Sequence, residues 1–178
     1  MKKYMHSLIA AAVAVFATGT TSLAQSSATS QPVTVNIDLS ASVISIALGA
    51  TPTVNFVYAS AADYTAPKTV SKPGHFTVVS NRNYTITAAA QTPFTVVATD
   101  PTPLSLGVVN ISVDPATLNG GTPATQALSQ TPAPIITNAV PTVGAVYNIN
   151  YAIPDATPLL GRSASIYSTT VVYTATQL

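Results

Sequence analysis

Residues 146–153 read Val-Tyr-Asn-Ile-Asn-Tyr-Ala-Ile. In an extended chain Tyr147, Ile149, Tyr151 and Ile153 fall on one face, with Asn148 and Asn150 on the other. Successive side chains of a strand point to opposite sides of the pleat, so a two-residue period marks a β-strand with one face in a core; a helix would repeat every 3.6 residues. The same period recurs along most of the chain. Residues 32–40 (Pro-Val-Thr-Val-Asn-Ile-Asp-Leu-Ser) put Val33, Val35, Ile37 and Leu39 on one side and Thr34, Asn36 and Asp38 on the other. Residues 42–48 place Ile44, Ile46 and Leu48 in phase, and 53–58 do so with Val54, Phe56 and Tyr58.

Further strands are expected at 76–80 and 84–90, at 94–98, at 106–113 and at 166–176, the last being the longest. Asn81-Arg82-Asn83 reads as a hairpin turn between the first two of these, because Asn tolerates positive φ. Residues 59–74 are polar and contain Pro67, Pro73 and Gly74, which reads as a loop. Residues 114–144 are rich in Pro, Gly, Thr and Ala around Asn119-Gly120-Gly121, which reads as a long surface loop with at most one short strand near Ala127–Leu128. Fourteen prolines, mostly between the runs, fit frequent turns. The expectation is an all-β chain of about nine strands, folded as a single antiparallel β-sandwich with Greek-key wiring over residues 32–178.

The N-terminus has a different character. Lys2 and Lys3 precede an apolar stretch from Leu8 to Ala17, and Ser22-Leu23-Ala24 supplies small residues at the −3 and −1 positions of a cleavage site. Residues 1–24 therefore read as a secretory signal peptide, and 25–31 as a flexible leader. No other stretch approaches the ~18 apolar residues of a membrane-spanning helix. Beyond residue 24, Lys68, Lys72, Arg82 and Arg162 stand against five Asp residues, for a net charge of −1. There is no basic patch, which argues against a nucleic-acid partner. Low charge also gives little electrostatic protection against self-association. The chain has no Cys, so a secreted form must rely on its core rather than on disulfides.

Acid–base, thiol or metal chemistry has little material here. Beyond residue 24 there is one His (His75) and no Glu. His75 begins a strand in Pro-Gly-His-Phe and reads as solvent-facing. Asp100 and Asp114 precede Pro, which is turn chemistry; Asp38 lies on a polar strand face; Asp63 and Asp155 lie in loops. No catalytic residue, cofactor site or metal site is expected, and the reading is of a protein that is not an enzyme. Tyr147, Tyr151, Tyr167 and Tyr173 form a candidate aromatic surface for sugar rings. Ile149 and Ile153 share the face of the first two, which points instead to packing.

Three stretches carry a resemblance: Phe56–Tyr64, Phe76–Ala88 and Tyr167–Thr176. They resemble uncharacterised secreted β-sandwich proteins of the Bacteroidota. The layout of signal, short leader, alternating first strand, β-sandwich body and a final Tyr/Thr/Val strand resembles pilin and fimbrial subunits, and the final strand is similar to the ends of cell-wall-binding WxL-type domains. The chain departs from these patterns, since it lacks the pilin disulfide, Tyr173 is the sixth residue from the end rather than the penultimate one, and no paired Trp motif is present.

The resemblance implies a surface-associated structural subunit, located in the periplasm or on the outer surface of a Gram-negative bacterium. Its partners would be further copies of itself or related subunits. It also implies a mechanism: Val33, Val35, Ile37 and Leu39 would complete a neighbour's sheet as a donated strand. The same residues could equally be the first strand of a self-complete sandwich. The alternative function is a monomeric glycan- or cell-wall-binding module.

Overall fold

The computed structural model describes residues 32, 34–96 and 103–178. The expected signal peptide and leader, Val33, and the end of the strand expected at 94–98 lie outside these residues. The described part divides after Ile37, and residues 38–178 form one unit. It is all-β, with eleven strands and only short 3-10 turns among the described residues.

The strands are β1 (Ile44–Leu48), β2 (Lys68–Ser80), β3 (Tyr84–Ala90), β4 (Thr95–Val96), β5 (Asn110–Val113), β6 (Thr122–Pro123), β7 (Gln126–Ala127), β8 (Ala133–Ala139), β9 (Thr142–Ile153), β10 (Tyr167–Ser168) and β11 (Val171–Gln177). One sheet has the order β1-β2-β9-β5-β7, the other β11-β3-β8-β6, and β4 pairs with β10 as a separate ribbon. Every pairing is antiparallel. Only β1 and β2 are neighbours in both sequence and sheet. Each later connection leaves its sheet, so the two layers are laced together.

Between the layers lies a single core. Phe76 and Val78 of β2, Tyr147 and Ile149 of β9 and Ile111 of β5 meet Tyr84 and Ile86 of β3 and Ile135 and Ile136 of β8, all essentially sealed from solvent. Full burial of each such side chain contributes roughly 1.5–3 kcal/mol against an extended reference. The alternation at 146–153 is realised as expected: Tyr147, Ile149, Tyr151 and Ile153 are all buried.

Other expectations are corrected. Residues 34–40 form no strand, and Val35, Ile37 and Leu39 are exposed, because the described chain offers this segment no pairing partner. Residues 53–58 turn Val54, Phe56 and Tyr58 towards the core, as their phase predicts, but form no ladder. The loop expected at 59–74 is half strand, since β2 runs from Lys68 straight through Pro73-Gly74. Proline is tolerated there because the pairing with β9 shifts register between Lys72 and Phe76, a bulge that releases the backbone from the ladder.

Nor do 76–80 and 84–90 form a hairpin. They belong to different sheets, and Asn81 pins the crossing instead: its Nδ2 donates to the Ala41 carbonyl at 2.8 Å and its Oδ1 accepts from the Val43 amide at 3.0 Å. Residues 114–144 hold three complete strands and the start of β9, hidden by Pro and Ala, whose strand propensity is poor. The last strand is broken into β10 and β11, so β2 and β9 are the longest.

Gly49 ends β1 against the bulge. Its amide donates to the His75 carbonyl at 2.8 Å, and a Cβ here would lie 2.3 Å from the Gly74 oxygen. Gly144, in β9, has open space around its missing Cβ. Gly49→Ala should therefore lower stability by about 1–3 kcal/mol through overpacking, while Gly144→Ala should stay within about 0.5 kcal/mol of the parent. Urea denaturation of the two variants checks this.

Candidate functional site

Three of the four tyrosines proposed as an aromatic surface are in the core. Tyr147 is fully buried, and Tyr151 and Tyr173 nearly so, which removes them from any exposed platform. Tyr167 is half-buried, with its hydroxyl donating to the Ser163 carbonyl at 3.3 Å. The buried phenols reach between the sheets. The hydroxyls of Tyr84 (β3) and Tyr147 (β9) lie 2.7 Å apart. The Tyr151 hydroxyl (β9) bonds both the Tyr173 hydroxyl (β11) and His75 Nε2, the latter at 2.8 Å.

His75 itself is 4 % exposed, not solvent-facing as its sequence context suggested. The bulge is the reason: it breaks the alternation, so that both His75 and Phe76 turn inward. The imidazole stands edge-on to Tyr151 and Tyr173, each ring centroid 5.6 Å away.

Burial keeps every member of this cluster in its uncharged form. Burial pushes the Tyr151 phenol up to about 12, partly offset by its bond with Tyr173. Burial, then the neighbouring Tyr151, raises Tyr173 further. Burial, and secondarily the Lys72 charge, lowers His75 below its ordinary 6.5. At neutral pH these groups are thus uncharged hydrogen-bonding groups. His75 Nδ1 is buried with no partner. The tautomer with the proton on Nε2 leaves only a lone pair unsatisfied there, a smaller cost than an orphaned N–H.

A second feature lies on the sheet edge. β1 covers β2 only from Phe76 to Ser80. Residues 68–72 of β2 pair with β9 on one side and with no strand on the other. By register with Ile149, Tyr151 and Ile153, the side chains of Lys72, Val70 and Lys68 point to the core side of this open edge. Residues 50–58 run alongside it, yet no backbone hydrogen bond joins them to β2.

The lysines hold that segment instead. Lys72 Nζ donates to the Thr53 carbonyl at 2.8 Å, and Lys68 Nζ donates to the Val57 carbonyl. Lys68 also lies 4.9 Å from the Tyr58 ring centroid and 2.5 Å from Asp63 Oδ1. That ammonium, with the Ser60 hydroxyl and amide, holds the Asp63 carboxyl well below the usual range. The Tyr58 hydroxyl is buried with no partner.

The third feature is the exposed segment before β1. Val35, Ile37 and Leu39 are 79 %, 80 % and 77 % exposed. Beyond these, two shallow depressions of about 510 and 220 Å³ carry no charged lining residue. Among the described residues, no group of three His, Cys, Asp or Glu side chains is gathered as metal ligands, and no helix is long and apolar enough to cross a membrane. No family model matches the chain, and no curated protein matches it either.

Sequence reasoning placed His75 on the wrong face and gave Lys68 and Lys72 no role. A bulge gives no periodic signal beforehand, but two of the few cations four residues apart, in phase with Val70, were a legible sign of an edge strand guarded by inward-pointing charge.

Two outcomes are expected. Below pH 6.5 the unfolded chain binds a proton at His75 that the folded chain refuses, so stability should fall as the pH drops from 7 to 5 and stay flat from pH 7 up to about 9, where the raised phenols begin to lower it again. His75→Phe should flatten that window, as read by urea midpoints across pH. Tyr147→Phe should cost about 1–3 kcal/mol by leaving the Tyr84 hydroxyl with only a long 3.5 Å contact from Asn119 Nδ2, whereas the double Tyr84→Phe/Tyr147→Phe variant should cost less than the sum of the singles.

Proposed function

We propose that the chain is a secreted, surface-associated structural protein: a fimbria-like or fibre-forming subunit that assembles by β-strand complementation and serves adhesion rather than catalysis. One observation carries the reading. Val35, Ile37 and Leu39, which a fully extended chain would place on one side, are large apolar side chains of an unpaired segment standing almost fully in water. Burying such a row against a neighbour would gain roughly 1.5–3 kcal/mol per side chain before ordering costs. Main-chain bonds to an open sheet edge would align it.

Export is supported by the sequence of residues 1–24, and self-association by the low charge. Location in the periplasm or on the outer surface of a Gram-negative cell follows the resemblance to secreted β-sandwich and fimbrial proteins. A glycan- or wall-binding module would need exposed rings, and Tyr147, Tyr151 and Tyr173 do not provide them.

The test is electron microscopy with size-exclusion chromatography of the purified protein. Wild type should form filaments or ordered oligomers. Val35→Ser/Ile37→Ser/Leu39→Ser should remain monomeric. Its melting temperature should stay within about 2 °C of wild type, since exposed positions contribute little to the monomer's stability. Wild-type protein that stays monomeric at high concentration, or a triple variant that assembles normally, overturns the reading.

A further inference from the structure

We infer that the acceptor for the donated strand is the open edge of β2 at residues 68–72, and that residues 50–58 are a temporary plug which residues 34–40 of a second copy displace. This rests on the assembly proposed above and adds where and how it occurs.

The edge is prepared for a strand it does not have. β1 runs antiparallel to β2, and residues 50–58 continue the same path: Lys72 meets the Thr53 carbonyl and Lys68 the Val57 carbonyl. Matching inward-facing residues to inward-facing residues across this gap would put Val54, Phe56 and Tyr58 beside Lys72, Val70 and Lys68. The plug nevertheless makes no ladder. Pro52 has no amide to offer, and the bulge at 73–75 steps the β2 backbone out of register just where β1 stops. The outward backbone groups of 68–72 thus face a segment that satisfies none of them, the edge condition that invites strand addition.

Residues 34–40 fit this place better than the plug. Val35, Ile37 and Leu39 have the spacing of Val54, Phe56 and Tyr58, and no proline interrupts them. Leu39 would stand where Tyr58 now buries a hydroxyl without a partner. Val35 and Ile37 would replace Val54 and Phe56, which the plug buries only in part. Carbonyls of the incoming strand can accept from the two lysines as those of the plug do. The segment carries no cation, so it brings no like charge to the two lysines. A second copy is the occupant to which these features point, because the matching strand is part of this same chain and is exposed.

Cross-linking tests the assignment, and a chain without cysteine makes it clean. In the exchanged register Asn36 lies opposite Ser71 on the solvent face, both exposed positions. Asn36→Cys and Ser71→Cys proteins are mixed, allowed to assemble and mildly oxidised. Thr174→Cys, exposed on the edge strand β11, serves in place of Ser71→Cys as the alternative acceptor.

A disulfide-linked 36–71 dimer, with little 36–174 product, is expected. Assembly with linkage to residue 174, or with no linkage to residue 71, overturns this inference and leaves the proposed function standing. Failure of wild type to assemble overturns both. Tyr58→Phe, which removes the plug's orphaned hydroxyl, should slow assembly several-fold; unchanged or faster assembly counts against displacement. Circular dichroism melts verify that each variant is folded.

Discussion

Hydroxyl groups meeting in the middle of an apolar core hold the two sheets of this protein in one relation. The Tyr84–Tyr147 contact and the His75–Tyr151–Tyr173 chain each tie a strand of one layer to a strand of the other. Aliphatic surfaces slide over one another at little cost, but a buried phenol that loses its partner leaves an unsatisfied polar atom in a low-dielectric interior. The pairs therefore select one alignment of the layers out of many that would bury similar area. In a chain with no Cys, no Trp and few charged residues, this is the available means of specification.

One irregularity serves both ends of the argument. The bulge between Lys72 and Phe76 turns two consecutive side chains inward, which supplies the imidazole at the end of the phenol chain and lets Phe76 pack on Tyr147 and Tyr173. The same step in the backbone ends the reach of β1 and leaves the lower part of β2 without a strand beside it. The inward-turned core residues and the open edge thus share one cause, and repairing the bulge would alter both.

Much of the fold was legible because burial leaves a period in the sequence. Tyr147 to Ile153 and Tyr84 to Ala90 show it without interruption, and both are strands with the expected face inside. Three kinds of segment were not legible. Residues 133–139 carry consecutive Ile135 and Ile136, both buried, which a strict alternation rejects. Residues 81–83 have the composition of a tight hairpin but cross between layers, and composition does not encode which strand lies opposite. Residues 34–40 and 53–58 have strand periodicity without strand pairing, because a period records which side is apolar and is silent on whether a neighbour is present. The same limit explains the candidate site: apolar positions could be named, but the edge they address could not.

The lacing of the layers bears on how the chain comes to be folded. The most local pairings, β5 with β7 and β6 with β8, join only two residues each, and β3 waits for β11, more than 80 residues further along. Loops of that length must close before their contacts give any return, which places such a topology among the slow folders, in the range of milliseconds to seconds. Until Val171–Gln177 is available, β3 keeps an open flank and the core beneath Tyr173 stays uncovered. The core between the layers is thus complete only once β11 has joined β3, and its apolar face stays open to other chains for as long as that closure takes.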